Sequence, residues 1–128
     1  MLNYRPLRVL LVEDHLSTRA ALNIWLVDLG HEVEAVETVE AALNFGRKFT
    51  FDLLIADIGL PDGNGRDLMI KLRRNHDFLA VAITANSGAA ERELSHRAGF
   101  AQHLEKPVDL DALTEILGAA ANRLQELE

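Results

Sequence analysis

The sequence predicts an α/β fold that is doubly wound around one parallel sheet, and two observations support this. Five short strand-like runs alternate with five helical patterns, as they do in consecutive βαβ units. The runs that lead to Glu13, Asp57 and Thr84 are short and mainly apolar, which is typical of a strand that is buried on both faces of a parallel sheet. With 128 residues and 48% apolar content, the chain is expected to form a single domain over residues 1–128.

The first βα unit is predicted from an apolar strand and a helix with a clear stop. The strand covers Arg8–Val12, and the helix runs from about Ser17 to Leu29, because Gly30 supplies a C-terminal stop. Trp25 is expected to pack beside the core face of this helix. The leucines of that face are Leu22, Leu26 and Leu29.

The second unit consists of a strand at about Glu32–Val36 and a helix at about Val39–Lys48. Thr38 precedes the helix and is a suitable N-cap, because its hydroxyl can accept from a free backbone N–H. The third strand follows over residues 51–56 and leads directly into Asp57.

A loop is predicted after the third strand, because Gly59–Gly65 contains three glycines and a proline. The third helix is expected at about Arg66–Arg74 and the fourth strand at Leu79–Ile83. Four basic residues lie on this helix and are expected to form a solvated face: Arg66, Lys71, Arg73 and Arg74.

The last two units complete the pattern. The fourth helix covers about Ala89–Ala98 and is closed by Gly99, the fifth strand begins near Phe100, and the fifth helix follows Asp109. Leucine and alanine recur every three or four residues in the fifth helix, which predicts the face that covers the sheet. This stripe consists of Leu110, Leu113, Leu117, Ala120, Leu124 and Leu127.

Composition excludes several classes of protein. The absence of cysteine excludes disulfides and thiolate metal sites, and the formal charge of −7 argues against direct binding of nucleic acid. No stretch approaches the ~20 apolar residues of a transmembrane helix, and residues 1–6 do not resemble a signal peptide. We therefore expect no membrane insertion and a cytoplasmic location.

Five chemically active side chains directly follow predicted strands. They are Glu13, Asp14, Asp57, Thr84 and Lys106. Ligands of open α/β sheets bind outside the carboxyl ends of the strands, so these side chains are expected to share one crevice. The convergence indicates a functional site more strongly than any one of the five does.

The chemistry of this set points to phosphoryl transfer. Three carboxylates need a cation, and Mg²⁺ prefers oxygen ligands. A carboxylate such as Asp57 can act as a nucleophile and become an aspartyl phosphate. Lys106 can neutralise phosphoryl oxygens, and the Thr84 hydroxyl can donate a hydrogen bond to them.

The chain resembles the receiver domain of two-component response regulators from about Arg8 to Leu124. Four short segments in the expected order carry the resemblance: residues 9–14 (Val-Leu-Leu-Val-Glu-Asp), 57–65 (Asp-Ile-Gly-Leu-Pro-Asp-Gly-Asn-Gly), 83–85 (Ile-Thr-Ala) and 106–107 (Lys-Pro). The resemblance implies a flavodoxin-like (βα)5 fold with strand order 2-1-3-4-5. It also implies a signalling switch rather than a dedicated enzyme.

The resemblance implies a role for each site residue. Asp57 would be the phosphoacceptor, and Mg²⁺ would be bound by Asp14, Asp57 and the backbone carbonyl of Gly59, with Glu13 helping through the water shell of the metal. Thr84 would be the switch hydroxyl and Lys106 the phosphate partner. The Lys106–Pro107 peptide would be cis.

Three positions adjust this picture. Receivers usually carry Tyr or Phe three residues before the lysine, whereas this chain has His103. His103 is either a moving switch or a passive, solvent-facing residue. Asn86 and Gly59 stand where receivers tune hydrolysis of the acyl phosphate, and Gly59 leaves the entrance to Asp57 without a side-chain barrier.

The expected phosphodonor is a phosphohistidine on a sensor histidine kinase or a histidine phosphotransfer protein. The residues expected to touch it are His15, Leu16, Arg19 and Pro107. Leu16 is either exposed for this contact or buried within the domain. The surface of the fourth helix, fifth strand and fifth helix is the expected output face, with a second copy of the chain or an effector as partner.

Other classes share parts of the pattern. A phosphohydrolase of the haloacid-dehalogenase type needs a second aspartate two residues after its nucleophile, where this chain has Gly59. A flavin-binding protein needs a hydroxyl- and glycine-rich loop where residues 13–15 are Glu-Asp-His. A degenerate receiver is disfavoured because all five site residues are present. Both a stand-alone regulator and a part of a larger kinase or regulator remain open.

Overall fold

The computed structural model describes residues 6–86 and 88–127. Strands and helices alternate along this part of the chain. In chain order they are β1 (Arg8–Val12), α1 (Leu16–Asp28), β2 (Glu32–Val36), α2 (Val39–Lys48), β3 (Leu53–Asp57), β4 (Gly59–Leu60), β5 (Gly63–Asn64), α3 (Gly65–Arg73), β6 (Leu79–Thr84), α4 (Ala89–Ala98), β7 (Gln102–Glu105) and α5 (Leu110–Leu127).

Five parallel strands form the main sheet in the order β2-β1-β3-β6-β7. Counted without the two-residue pair β4 and β5, this is the order 2-1-3-4-5, so the predicted fold class is confirmed. The register aligns the strand ends: Val12 pairs with Ala56, Asp57 with Ile83, and Thr84 with Glu105.

Alternate side chains of the central strands enter two separate cores, as expected for a sheet covered on both faces. The core on the side of α2, α3 and α4 includes Leu10, Val12, Leu54, Ala56, Ala42, Leu68, Met69, Leu72 and Phe78. The core on the side of α1 and α5 includes Val9, Leu11, Leu53, Ile55, Leu22, Leu26, Leu113, Leu117 and Ala120.

The predicted core of two helices needs correction at their ends. Leu22 and Leu26 are buried as expected, but Leu29 is 51% exposed, because α1 ends at Asp28 and Leu29 is the C-cap residue. Leu110 in the first turn of α5 is also exposed. The side chain of Leu127 lies outside the described residues.

The predicted loop after β3 contains a small antiparallel pair, in which Gly59 lies opposite Asn64 and Leu60 opposite Gly63. The pair presents Asp62 to the start of α2, where its carboxylate accepts from the backbone N–H of Val39 at 2.8 Å and of Glu40 at 3.0 Å. The loop thus supports a neighbouring helix in addition to connecting β3 with α3.

Membrane insertion finds no support among the helices of residues 6–86 and 88–127. None of them combines the length and the apolar character that a membrane span requires.

Candidate functional site

The fold brings the predicted acidic residues together at the carboxyl end of the sheet. Glu13 and Asp14 follow β1, and Asp57 is the last residue of β3. One carboxylate oxygen of each lies within 4.8 Å of those of the other two. Glu13 is fully buried and Asp57 nearly so, whereas Asp14 is exposed. Two of the three acids are therefore held away from bulk water, and a negative charge in such a buried position is costly.

Lys106 lies between the two buried carboxylates. Its Nζ donates to Asp57 Oδ2 at 2.6 Å and forms an ion pair with Glu13 Oε1. Burial alone would lower the pKa of Lys106, but its hydrogen bonds to Asp57 and Glu13 outweigh this and raise it. The ammonium group therefore remains charged and offsets part of the acidic charge.

The charge of the site is not fully balanced. Burial, followed by the contact with Asp57, raises the pKa of Glu13 to about 7 even though Lys106 acts in the opposite direction. The charged form of Glu13 is therefore disfavoured in this buried position beside Asp57. The three carboxylates supply the oxygen donors that Mg²⁺ prefers, so the residues fit this ion.

The backbone around Asp57 is closely packed. Asp57 Oδ1 accepts from the backbone N–H of Gly59 at 3.1 Å. A Cβ placed on Gly65 would lie 2.3 Å from the backbone oxygen of Asp57, so this position requires glycine. A Cβ on Gly59, by contrast, would meet nothing within 4 Å, which agrees with the expected open entrance to Asp57.

Thr84 and Lys106 lie on adjacent strand ends. Lys106 N donates to the backbone oxygen of Thr84 at 2.8 Å, and the Lys106–Pro107 peptide is cis, as expected. The Thr84 side chain is buried, and its Oγ1 accepts from the backbone N–H of Asn86 at 3.1 Å. All five predicted site residues therefore lie in one crevice formed by four strand ends.

Arg19, which is also an expected contact for the donor, has a structural role that was not predicted. Its Nη1 donates to the backbone oxygen of Glu13 at 2.9 Å and of Asp14 at 3.2 Å. It also forms an ion pair with Glu37 at 3.6 Å. The guanidinium group thus holds the acidic turn in place. The sequence did not reveal this role, because it depends on backbone carbonyls.

The rim of the crevice carries exposed apolar surface. Leu16 is 69% exposed, so its burial within the domain is excluded. Nearby, a depression of about 360 Å³ is lined by side chains of α1 and of the segment after β7. The lining residues include Thr18, Ala21, Trp25, Pro107, Val108 and Leu110.

His103 is buried, with only 7% of its surface exposed, so its interpretation as a solvent-facing histidine is wrong. Its ring contacts Ser95 on α4 and the backbone of Asn86. Arg66 also departs from the predicted solvated face: its side chain is 15% exposed and pairs with Glu91 at 2.7 Å. Lys71 and Arg74 are exposed as predicted.

Comparison with known proteins gives one consistent family. The family model of the response regulator receiver domain matches residues 9–118. Response regulator protein FleR of Pseudomonas aeruginosa is 36% identical over 115 residues, which is 89% of this chain and 24% of that protein. Sensor histidine kinase RcsC of Salmonella typhi is 32% identical over 119 residues, covering 92% of this chain and 13% of that protein.

A solved structure supports the same fold. The receiver domain of the Saccharomyces cerevisiae response regulator Ssk1, crystallised with the histidine phosphotransfer signalling protein Ypd1, superposes with a TM-score of 0.85. Sequence identity is 21%, and the match covers 94% of this chain and 92% of that one. The chain spans about a quarter or less of the length of the curated relatives named above.

Proposed function

The chain belongs to the response regulator receiver domain family, and we propose from this that Asp57 accepts a phosphoryl group from a phosphohistidine donor. The observation that carries the proposal is the crevice itself, where the nearly buried Asp57 carboxylate contacts both Lys106 and the Gly59 backbone. A carboxylate held by fixed donors is oriented for attack, and phosphoryl transfer depends mainly on orientation and charge neutralisation.

The proposed step exchanges one bond for another. An oxygen of Asp57 forms a P–O bond while the P–N bond of the phosphohistidine breaks, and the leaving nitrogen keeps the electron pair. Lys106 lies where it can neutralise one oxygen of the phosphoryl group, and the Thr84 hydroxyl can donate a hydrogen bond to a second one. Mg²⁺ bound by Asp14, Asp57 and the Gly59 carbonyl, with Glu13 acting through water, would supply further neutralising charge.

Loss of the phosphoryl group is proposed to occur by hydrolysis, and the entrance to Asp57 favours it. Gly59 is exposed and carries no side chain, so no side chain at this position stands between solvent and Asp57. The same feature disfavours a dedicated phosphohydrolase, because the general acid that such an enzyme requires two residues after its nucleophile is missing here. The protein is therefore proposed to act as a signalling switch. We place it in the cytoplasm, where ATP is available for the phosphorylation of a histidine kinase.

The donor is proposed to be a sensor histidine kinase or a histidine phosphotransfer protein that docks on α1. The exposed side of α1 is apolar along its length, with Leu16, Ala20, Ile24 and Val27 at the spacing of one helix face. Helical partners bury such faces. The presence of the receiver match in a sensor kinase, and the capture of a similar fold with a phosphotransfer protein, support this choice of partner.

The test of the phosphoacceptor is phosphorylation by a small donor. We expect acetyl phosphate with Mg²⁺ to add one phosphoryl group, measured by intact mass, and hydroxylamine to remove it. Asp57→Asn should abolish the addition, whereas Asp62→Asn, which changes an exposed acid in the same loop, should retain it. Unchanged phosphorylation of the Asp57 variant would disprove the assignment.

The test of the docking surface separates protein donors from small donors. Leu16→Glu should slow transfer from a phosphohistidine protein, because it places a charge in the proposed apolar contact, and should spare transfer from acetyl phosphate. Leu94→Glu is the matched control, because Leu94 is an exposed leucine on α4, away from α1. Equal slowing with both donors would instead indicate a damaged site.

The output surface is proposed to be formed by α4, β7 and α5. Phosphorylation should draw Thr84 toward Asp57 and shift the populations of two conformations of this surface, on which a second copy or an effector then binds. Such a shift requires the phosphoryl group to contact the two conformations differently. The single domain over residues 1–128 is proposed as the unit that switches.

A further inference from the structure

A chain of hydrogen bonds runs from the end of β6 to the start of α3. It begins at Thr84, whose Oγ1 accepts from the backbone N–H of Asn86 at 3.1 Å. The backbone oxygen of Asn86 lies 3.2 Å from Nε2 of His103, and Nδ1 of the same ring lies 2.9 Å from Ser95 Oγ. Ser95 Oγ accepts from Nε of Arg66 at 3.3 Å. Five residues thus connect β6, β7, α4 and α3.

The partners of His103 determine which ring nitrogen carries the hydrogen. A backbone carbonyl can only accept, so Nε2 of His103 must donate to Asn86. In the neutral ring Nδ1 is then an acceptor, and the hydroxyl of Ser95 must donate to it. The oxygen of Ser95 retains lone pairs for the Nε–H of Arg66. Each bond therefore has one direction.

The middle of this chain of hydrogen bonds is buried, so breaking its bonds would be costly. The side chains of Ser95 and His103 are buried, and a buried polar group without a partner costs roughly 1–3 kcal/mol. Arg66 is anchored to α4 a second time, because its Nη2 donates to the backbone oxygen of Glu91 at 3.0 Å and to its carboxylate at 2.7 Å. These hydrogen bonds therefore resist breaking, so a displacement at the Thr84 end of the chain is expected to reach Arg66 at the other end.

We propose that this chain transmits the phosphorylation state of Asp57 to α3 and α4, and that Ser95 is the residue that positions His103 for it. The inference rests on the phosphoacceptor role proposed above. If Thr84 Oγ1 turns to a phosphoryl oxygen, the Asn86 backbone bonded to it must shift, and the acceptor of the His103 ring shifts with it. The signal then reaches Arg66, which lies beyond the proposed output surface.

The charged groups around the His103 ring influence its protonation, and protonation in turn affects the hydrogen bonds of the chain. Arg66 from α3 and Arg92 from α4 face the ring as cations, and Glu91 faces it as an anion. Burial lowers the pKa of His103, the bond to Asn86 opposes this, and the two arginines add to the lowering against Glu91. A proton on Nδ1 would make the ring the donor to Ser95 Oγ, so protonation as the pH falls below 6.5 should reverse this hydrogen bond and turn the hydroxyl hydrogen of Ser95 away from the ring.

The experiment is nitrogen NMR of the His103 ring and of Arg66 Nε, recorded with and without trifluoroberyllate and Mg²⁺ as a phosphoryl mimic on Asp57. We expect the ring to be the neutral Nε2–H tautomer and both residues to shift with the mimic. Intact mass after acetyl phosphate is measured in parallel. Absence of a phosphoryl adduct would overturn the proposed function and the inference together, whereas an adduct with unchanged His103 and Arg66 signals would overturn the inference alone.

Variants of Ser95 test its positioning role. Ser95→Ala should still be phosphorylated but should lose the shift at Arg66, and the titration midpoint of His103 should rise because Nδ1 loses its donor. Ser95→Thr keeps the hydroxyl and should restore both. Thr114→Ala, which removes an exposed hydroxyl on α5, is the matched control and should change neither. An undiminished shift at Arg66 in Ser95→Ala would overturn the inference.

Discussion

At the residue scale, the ammonium group of Lys106 lies between the two buried carboxylates of the crevice. Its contacts with Glu13 and Asp57 offset part of the repulsion between two acids that are otherwise shielded from water. One ammonium group cannot balance both of them together with Asp14. Burial, reinforced by the neighbouring Asp57, raises the pKa of Glu13, and the three carboxylates supply the oxygen donors of a candidate cation site.

A second histidine, His31, makes stability depend on pH. Its Nδ1 accepts from the backbone N–H of Leu7 at 3.0 Å, and burial lowers its pKa below 6.5. The unfolded chain then binds more protons than the folded one below pH 6.5, so the contribution is complete above this pH and is lost as the pH falls. His103 contributes with the same sign.

We expect His31→Gln to remove the part of the pH dependence that lowers the unfolding free energy as the pH falls below 6.5. The measurement is urea unfolding at several values between about pH 5 and 7.5, a range that brackets the ordinary histidine pKa. The difference in unfolding free energy between the wild type and the variant should change with pH as His31 titrates, because His103 and the oppositely acting Glu13 are present in both proteins. A difference that does not change with pH would show that the ring of His31 is not held neutral by the fold.

At the element scale, the packing of α3 against β3 fixes the position of Asp57. Gly65 begins α3, and its N–H donates to Ile58 O at 2.8 Å. A Cβ at this position would lie 2.3 Å from the backbone oxygen of Asp57 and 3.0 Å from Cα of Ile58. Backbone atoms at these distances cannot rotate away, so the start of α3 and the backbone of Asp57 must separate if a side chain is added.

We expect Gly65→Ala to lower the unfolding free energy by roughly 1–3 kcal/mol, the usual cost of overpacking, and to slow phosphorylation by acetyl phosphate. Gly118→Ala is the matched control, since it lies within α5 with nothing within 4 Å of its added Cβ. The control should gain roughly 0.5–1 kcal/mol from helix propensity. Urea unfolding and the time course of intact mass check both, and a Gly65 variant of normal stability would contradict the packing argument.

Sequence patterns predicted the elements well wherever the local signal and the tertiary packing agree. The strands that end at Val12, Asp57 and Thr84 have apolar centres that are buried on both faces, so their ends, and the candidate site, could be located. The pattern failed at Leu29, because a leucine beyond the last helical turn keeps the helical spacing but not the direction toward the core.

Contacts between distant polar groups could not be predicted in the same way. Arg66 and Ser95 look like ordinary surface residues in the sequence, and their burial depends on how α3 and α4 pack. The cap that Asp62 provides to α2 joins residues more than 20 positions apart, and it lowers the pKa of that exposed carboxyl through hydrogen bonds from the backbone of Val39 and Glu40. Periodicity carries no information about such pairs.

At the scale of the whole molecule, the net charge of −7 is unevenly compensated. Ion pairs balance acids on several surfaces, for example Arg66 with Glu91 and Arg73 with Asp77. The acidic crevice instead brings three carboxylates together around Lys106. The folded chain therefore concentrates negative charge at the end of the sheet, and the unfolded chain does not.

This difference predicts that Mg²⁺ stabilises the folded protein. An ion that binds only the folded state adds about 2.7 kcal/mol to the unfolding free energy at 100 times its Kd. We expect the thermal midpoint to rise with Mg²⁺ relative to EDTA, and Asp14→Asn to reduce the increase because it removes one proposed ligand. Asp28→Asn, which changes an exposed acid at the other end of α1, should keep the full increase. An equal increase in the wild type and the Asp14 variant would show that Mg²⁺ acts through general screening and not through the acidic crevice.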